Sequence, residues 1–280
     1  MPVHHGLGLD LDVTVRHGRV NVGVQAVSRI PPAKRAFDLG LATVMVVLLA
    51  PVLILLALLI VVTEGRPVLY VSSRRVGPGP ALPVMKFRTM RRDADRIANR
   101  DTVPVSRTRF LNLPPDSPLY TPIGRVIERT MMTEMPQLLH VLQGRMSLVG
   151  NRPLPQNVVA SLGEAFPDVE RRFALPGGIT GPVQLIGRDD ISDAARLRLE
   201  IAYCEAVTRS YSVLLDLRIL FYTVLRCVVP RVHLTPEAAL ALVQRHERRA
   251  RDPGAGRHRL LMRFPFLRLP AFRERGPGLR

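Results

Sequence analysis

Residues 39–63 read LGLATVMVVLLAPVLILLALLIVVT, twenty-five residues without a charged side chain. An uncharged apolar run of this length is a membrane signal. As a straight helix it would reach roughly 37 Å, enough to cross a hydrocarbon core of ~30 Å. Pro51 divides it, however, and a proline inside a helix removes one backbone hydrogen bond and bends the axis. Each half is then about 18 Å long, close to one leaflet. Lys34 and Arg35 precede the run and Arg66, Arg74 and Arg75 follow it, so the positive-inside rule places both ends on the cytoplasmic side. The expectation is a re-entrant helix-break-helix dipping into one leaflet, with a kinked full span and a buried core helix as alternatives. A cleaved signal peptide fits poorly, because the run starts late, is long and has no small-residue cleavage site after it.

Outside this run the composition bounds the partners. The 280 residues carry a formal charge of +17, which favours anionic partners such as phosphates and acidic lipid headgroups. A nucleic-acid binder would share that charge, but no recognisable binding motif accompanies it and it leaves the apolar run unexplained. Of forty basic residues only Lys34 and Lys86 are lysines, a hint that a compact ammonium is needed there. Cys204 and Cys227 lack metal-ligand spacing and read as reduced thiols, and the scattered histidines form no zinc motif.

The organisation follows from breakers and periodicity. Residues 1–33 form an N-terminal arm without a sustained helical period, 34–66 the membrane segment, 67–230 a cytoplasmic domain, and 231–280 an arginine-rich tail suited to a surface or to disorder. Within the domain, PVLYV and LPVMKFRTM flank GPGP as two short strands. Ile123, Val126, Ile127 and Met131 recur at helical spacing, and 189–229 is again largely helical. The fold class expected is α+β, mainly helical, with a small β-hairpin or sheet.

At the centre, residues 130–155 read TMMTEMPQLLHVLQGRMSLVGNRPLP. Pro136 suits the first turn of a helix whose apolar face is Leu138, Leu139, Val141 and Leu142, so Thr133 and Glu134 lie near a helix start. There, Glu134 is either a complement to the helix dipole or a site carboxylate.

Four ordered stretches, the membrane segment from Lys34, MKFRTMRRDAD (85–95), TEMPQLLHVLQGRMSLVGNRPLP (133–155) and LPGGITGPVQLIGRD (175–189), together resemble the bacterial sugar transferase family. These are monotopic polyprenyl-phosphate phosphoglycosyl transferases of the bacterial inner membrane, with the catalytic domain facing the cytoplasm. The resemblance implies Mg²⁺-dependent transfer of a sugar 1-phosphate from a nucleotide-sugar donor to undecaprenyl phosphate. It makes Glu134 the metal ligand, matches Lys86 and Arg88 to the family's basic pair, and matches Arg152 to its phosphate- or nucleotide-binding arginine. Asn151 stands where the family usually has proline, in the turn that presents Arg152.

Thr133 is the main departure, because the family usually carries there the aspartate held to be the nucleophile. A carboxylate attacks phosphorus already ionised, whereas a hydroxyl needs a base. His140, seven residues on, would sit about 10 Å away along one helix, too far for direct transfer. Thr133 therefore reads as a cap or hydrogen-bonding residue. Attack by Glu134, direct attack by the lipid phosphate, and a catalytically weakened membrane scaffold all remain open. Asp93, Asp95, Asp189 and Asp190 are further carboxylates with a default reading as surface charge; Asp216 reads as structural, and Tyr203 and Tyr211 as core or pocket residues. The sequence sets neither the sugar nor the oligomeric state.

Overall fold

The computed structural model describes residues 9–16, 19–26, 30–98, 117–130, 132–186, 191–229 and 233–251. The apolar run lies in one helix, α1, Pro32–Glu64, with proline in its first turn. The break expected at Pro51 is absent: the chain stays helical on both sides of it. Pro51 forfeits its own N–H bond, but no glycine or polar residue flanks it to satisfy backbone groups otherwise, so the neighbouring turns keep their helical bonds. A stripe of Ala42, Met45, Val46, Leu49, Leu53, Leu56, Ala57 and Ile60 is buried or half-buried, while Pro51 is exposed. The opposite face leaves Val47, Leu48, Ile54, Leu55 and Val62 uncovered.

Both ends of α1 are held by the domain that follows. After a short link come strands β3, Leu69–Arg74, and β4, Leu82–Phe87, paired antiparallel as the sequence predicts, with Tyr70 opposite Lys86. Arg88, one residue past β4, donates from Nη2 to the carbonyls of Glu64 (3.0 Å) and Gly65 (2.7 Å), terminal acceptors of α1. Ile60 packs with Phe87 and Ile127 in a small core. At the other end, Arg35 donates to the carbonyls of Val141 (2.6 Å) and Leu142 (2.9 Å).

The short helix α2, Ala94–Ala98, is followed by α3, Pro122–Arg129, capped by the Thr121 hydroxyl. Gly124 lets α3 lie on the end of β4, since a Cβ there would sit 1.9 Å from the Thr89 carbonyl oxygen. A 3-10 turn, Met132–Gln137, leads into α4, Leu138–Leu142. Strand β5, Ser147–Val149, pairs in parallel with β6, Gly178–Thr180. Between them runs α5, Gln156–Ala165, and afterwards come α6, Asp193–Ser210, α7, Val213–Val228, and α8, Pro236–Arg251. The main core joins Ala42 of α1 to Val141, Leu148, Val149, Tyr203, Val207, Leu215 and Ile219.

Two terminal expectations need correction. Residues 1–33 contain a hairpin, β1, Leu9–Arg16, and β2, Arg19–Ala26, with Leu9 opposite Ala26 and Arg16 opposite Arg19. Its alternating Leu/Val pattern has a period of two, and a search for helical period passes over it. The tail after 231 is not wholly apart from the domain either, because Leu234, Ala239 and Val243 are buried in the main core. The arginines of α8 dominated its composition and masked this sparse apolar face.

Candidate functional site

The 3-10 turn presents Thr133 and Glu134, and the loop after β5 brings Arg152 to them. Arg152 grips Glu134 in a fork, Nη1 to Oε2 at 3.2 Å and Nη2 to Oε1 at 2.5 Å. The pair is accessible, with side chains 44% and 24% exposed. The Glu134 carboxylate holds the Arg152 guanidinium above its ordinary pKa; burial opposes this, and Glu128 adds a smaller push in the same direction.

The Arg152 loop is held from behind. A Cβ at Gly150 would lie 2.7 Å from both the Gly178 nitrogen and the Pro176 carbonyl oxygen, so this close crossing requires glycine. Arg172, wholly buried, pairs with Glu200 through Nε to Oε2 (2.6 Å) and Nη2 to Oε1 (2.8 Å), and its Nη2 also donates to the Arg152 carbonyl at 3.0 Å. The Asn151 amide donates inward to the carbonyls of Arg172 (2.8 Å) and Glu200 (3.1 Å). Asn151 thus shapes the loop, and its buried amide is engaged in the interior.

Lys86 lies on β4, which packs against the 3-10 turn, with Nζ 5.0 Å from the Tyr70 ring centroid. Arg88 is buried, and its Nη2 donates to the end of α1. Thr133 is 6% exposed and donates from Oγ1 to Oε2 of Glu128 on α3, at 2.9 Å. Sequence reasoning passed over Glu128, Arg172 and Glu200. His140 is buried on α4, and burial lowers its pKa by disfavouring the charged imidazolium.

Over residues 29–230 the chain matches the model of the family described as bacterial sugar transferase. The chain belongs to the bacterial sugar transferase family. It is 38% identical over 209 residues to the undecaprenyl-phosphate glucose phosphotransferase of Komagataeibacter xylinus, covering 71% of this chain and 36% of that protein. To the exopolysaccharide production protein PSS of Rhizobium leguminosarum bv. phaseoli it is 35% identical over 195 residues, covering 68% and 92%. To the UDP-glucose:undecaprenyl-phosphate glucose-1-phosphate transferase of Escherichia coli (strain K12) it is 30% identical over 194 residues, covering 69% and 39%. The chain spans little more than a third of two of these relatives and nearly the whole of the other.

Of the further carboxylates considered in the sequence, Asp93 and Asp216 are placed away from the Arg152–Glu134 fork. Asp93 is exposed and pairs with Arg91, Nε to Oδ1 at 3.3 Å. The Asp95 side chain, Asp189 and Asp190 lie outside the described residues. Asp216 is fully buried, accepting from Lys34, Tyr203 and Tyr211. Among the described residues no three His, Cys, Asp or Glu side chains cluster as a metal site. Mg²⁺ commonly takes one or two carboxylates and fills its octahedron with water and substrate phosphate, and Glu134 is the carboxylate of this site that could serve as such a ligand.

Proposed function

We propose that this family member is a membrane-bound phosphoglycosyl transferase. It moves a sugar 1-phosphate from a nucleotide diphosphate sugar, a UDP-sugar, to undecaprenyl phosphate and so initiates exopolysaccharide assembly. The relatives' names supply the substrate class. The observation that carries the reading to these residues is the accessible Arg152–Glu134 fork, set beside Thr133 and the Lys86 strand. An arginine fork fits phosphate as well as carboxylate, so an arriving diphosphate competes for Arg152 and frees a Glu134 oxygen. Glu134 would then hold Mg²⁺, which supplies charge neutralisation at the phosphoryl oxygens. Lys86 contributes a mobile point charge to the same face.

The membrane topology is a re-entrant α1 in the inner membrane, with the domain on the cytoplasmic side. A straight helix of 33 residues is about 50 Å long and would carry its two ends to opposite faces. Arg35 at one end and Gly65 at the other are bonded to the same domain, which supports both ends lying on one side of the membrane. A second reading, a scaffold without turnover, draws on Thr133 standing where a carboxylate is expected.

The test is release of UMP by detergent-solubilised protein given Mg²⁺, undecaprenyl phosphate and a panel of UDP-sugars. Release with one donor, dependent on the lipid phosphate, is expected. No release with any donor, restored by Thr133→Asp, would establish the scaffold instead.

A further inference from the structure

The sequence offers the Thr133 hydroxyl no base within reach, but in the fold it donates to a carboxylate, Oε2 of Glu128. We propose that Thr133 and Glu128 form a catalytic dyad, in which Glu128 takes the Thr133 proton and Oγ1 attacks the sugar-bearing phosphorus. This inference rests on the transferase reading above.

Four observations carry it. Thr133 Oγ1 donates to Glu128 Oε2 at 2.9 Å, the reach required between a nucleophile and its base. Glu134 is less suited to attack, because Arg152 grips both its oxygens and the one that an arriving diphosphate frees is committed to Mg²⁺ in that reading. Thr133 immediately precedes Glu134, whose carboxylate Arg152 grips, which sets the dyad beside the proposed phosphate-binding group. Gly124 seats α3 directly on the end of the Lys86 strand, so Glu128 is presented by a packed element.

The step balances. Oγ1 forms a bond to the β-phosphorus as the bond to the bridging oxygen breaks, and UMP leaves with that electron pair. The proton passes to Glu128. An oxygen of the lipid phosphate then attacks the same phosphorus, and departing Oγ1 recovers the proton from Glu128.

The experiment compares wild type, Glu128→Gln, Thr133→Ser, Thr133→Val and the double variant Glu128→Gln/Thr133→Asp, all in the UMP-release assay. A general base contributes roughly 10²–10⁴-fold, so Glu128→Gln should lose at least about a hundredfold in kcat while Thr133→Ser retains turnover and Thr133→Val does not. The double variant should regain activity over Glu128→Gln, because an aspartate at 133 needs no base. With acceptor omitted, trypsin should free Thr130–Arg145 carrying a sugar-phosphate adduct that survives hydroxylamine. A hydroxylamine-labile adduct, an adduct on the peptide ending at Arg129, or Glu128→Gln within threefold of wild type overturns the dyad while leaving the transferase reading intact. No UMP release by wild type with any donor overturns that reading and the dyad with it.

Discussion

Lys34 and Asp216, 182 positions apart in the chain, meet at 2.7 Å in a site where both side chains are at most 1% exposed. The Lys34 ammonium also donates to the Val149 carbonyl at 2.9 Å, and Tyr203 donates to both that carbonyl (3.0 Å) and Asp216 (2.9 Å). Asp38, one turn further along α1, accepts from the Ser147 hydroxyl (2.8 Å) and the Leu148 amide (3.1 Å). The base of the membrane helix is therefore tied by buried polar bonds to β5 and α7, and β5 leads directly into the Arg152 loop.

Removing one partner of a buried pair leaves the other charged and unpaired, at a cost of ~3–5 kcal/mol. Lys34→Met should lower unfolding stability by about that amount in detergent, measured by chemical denaturation. Lys34→Arg should rescue little, because a planar guanidinium does not fit a site built around a compact ammonium touching both Asp216 and Val149. A loss under about 1 kcal/mol for Lys34→Met would show that the site tolerates the orphaned carboxylate.

Arg152→Lys keeps the charge and removes the fork. If two parallel hydrogen bonds are what the diphosphate uses, kcat/KM for the UDP-sugar should fall roughly 10–100-fold, about 1.4 kcal/mol per tenfold, mainly through KM. Steady-state UMP release across donor concentrations reads this. Unchanged kcat/KM would mean that Arg152 acts as charge alone.

Legibility in the sequence followed the kind of information each feature needs. The apolar run and the β3–β4 hairpin are composition and turn chemistry, and both were readable as such. So was the start of the helix at Pro136, apart from its opening as a 3-10 turn. Arg88 and Asn151 show the limit: residue type suggests a phosphate contact or a turn, yet where the donors go depends on which carbonyls the fold leaves unpaired. Here those are the end of α1 for Arg88, and Arg172 and Glu200 for Asn151. Glu128 was passed over because its contact with Thr133 arises between two consecutive helical elements, where sequence distance does not report separation. His140 follows Thr133 along the chain, whereas its partner Glu128 comes from the helix before.

The topology can be decided at the two ends of α1. Cys204 is buried, and burial pushes its thiol up to about 12, so it should not react near neutral pH, whereas Cys227 is exposed and must first be replaced by serine. Ala36→Cys and Thr63→Cys then place single reactive thiols at exposed positions at the two ends of the apolar run. With Arg35 bonded to the end of α4 and Arg88 bonded to Gly65, both ends stand on the side of the domain. A membrane-impermeant maleimide should label both variants in inside-out vesicles and neither in intact spheroplasts. Labelling of one position from each side would mean that α1 spans the bilayer, and one of the two arginine anchors would then have to be released in the membrane.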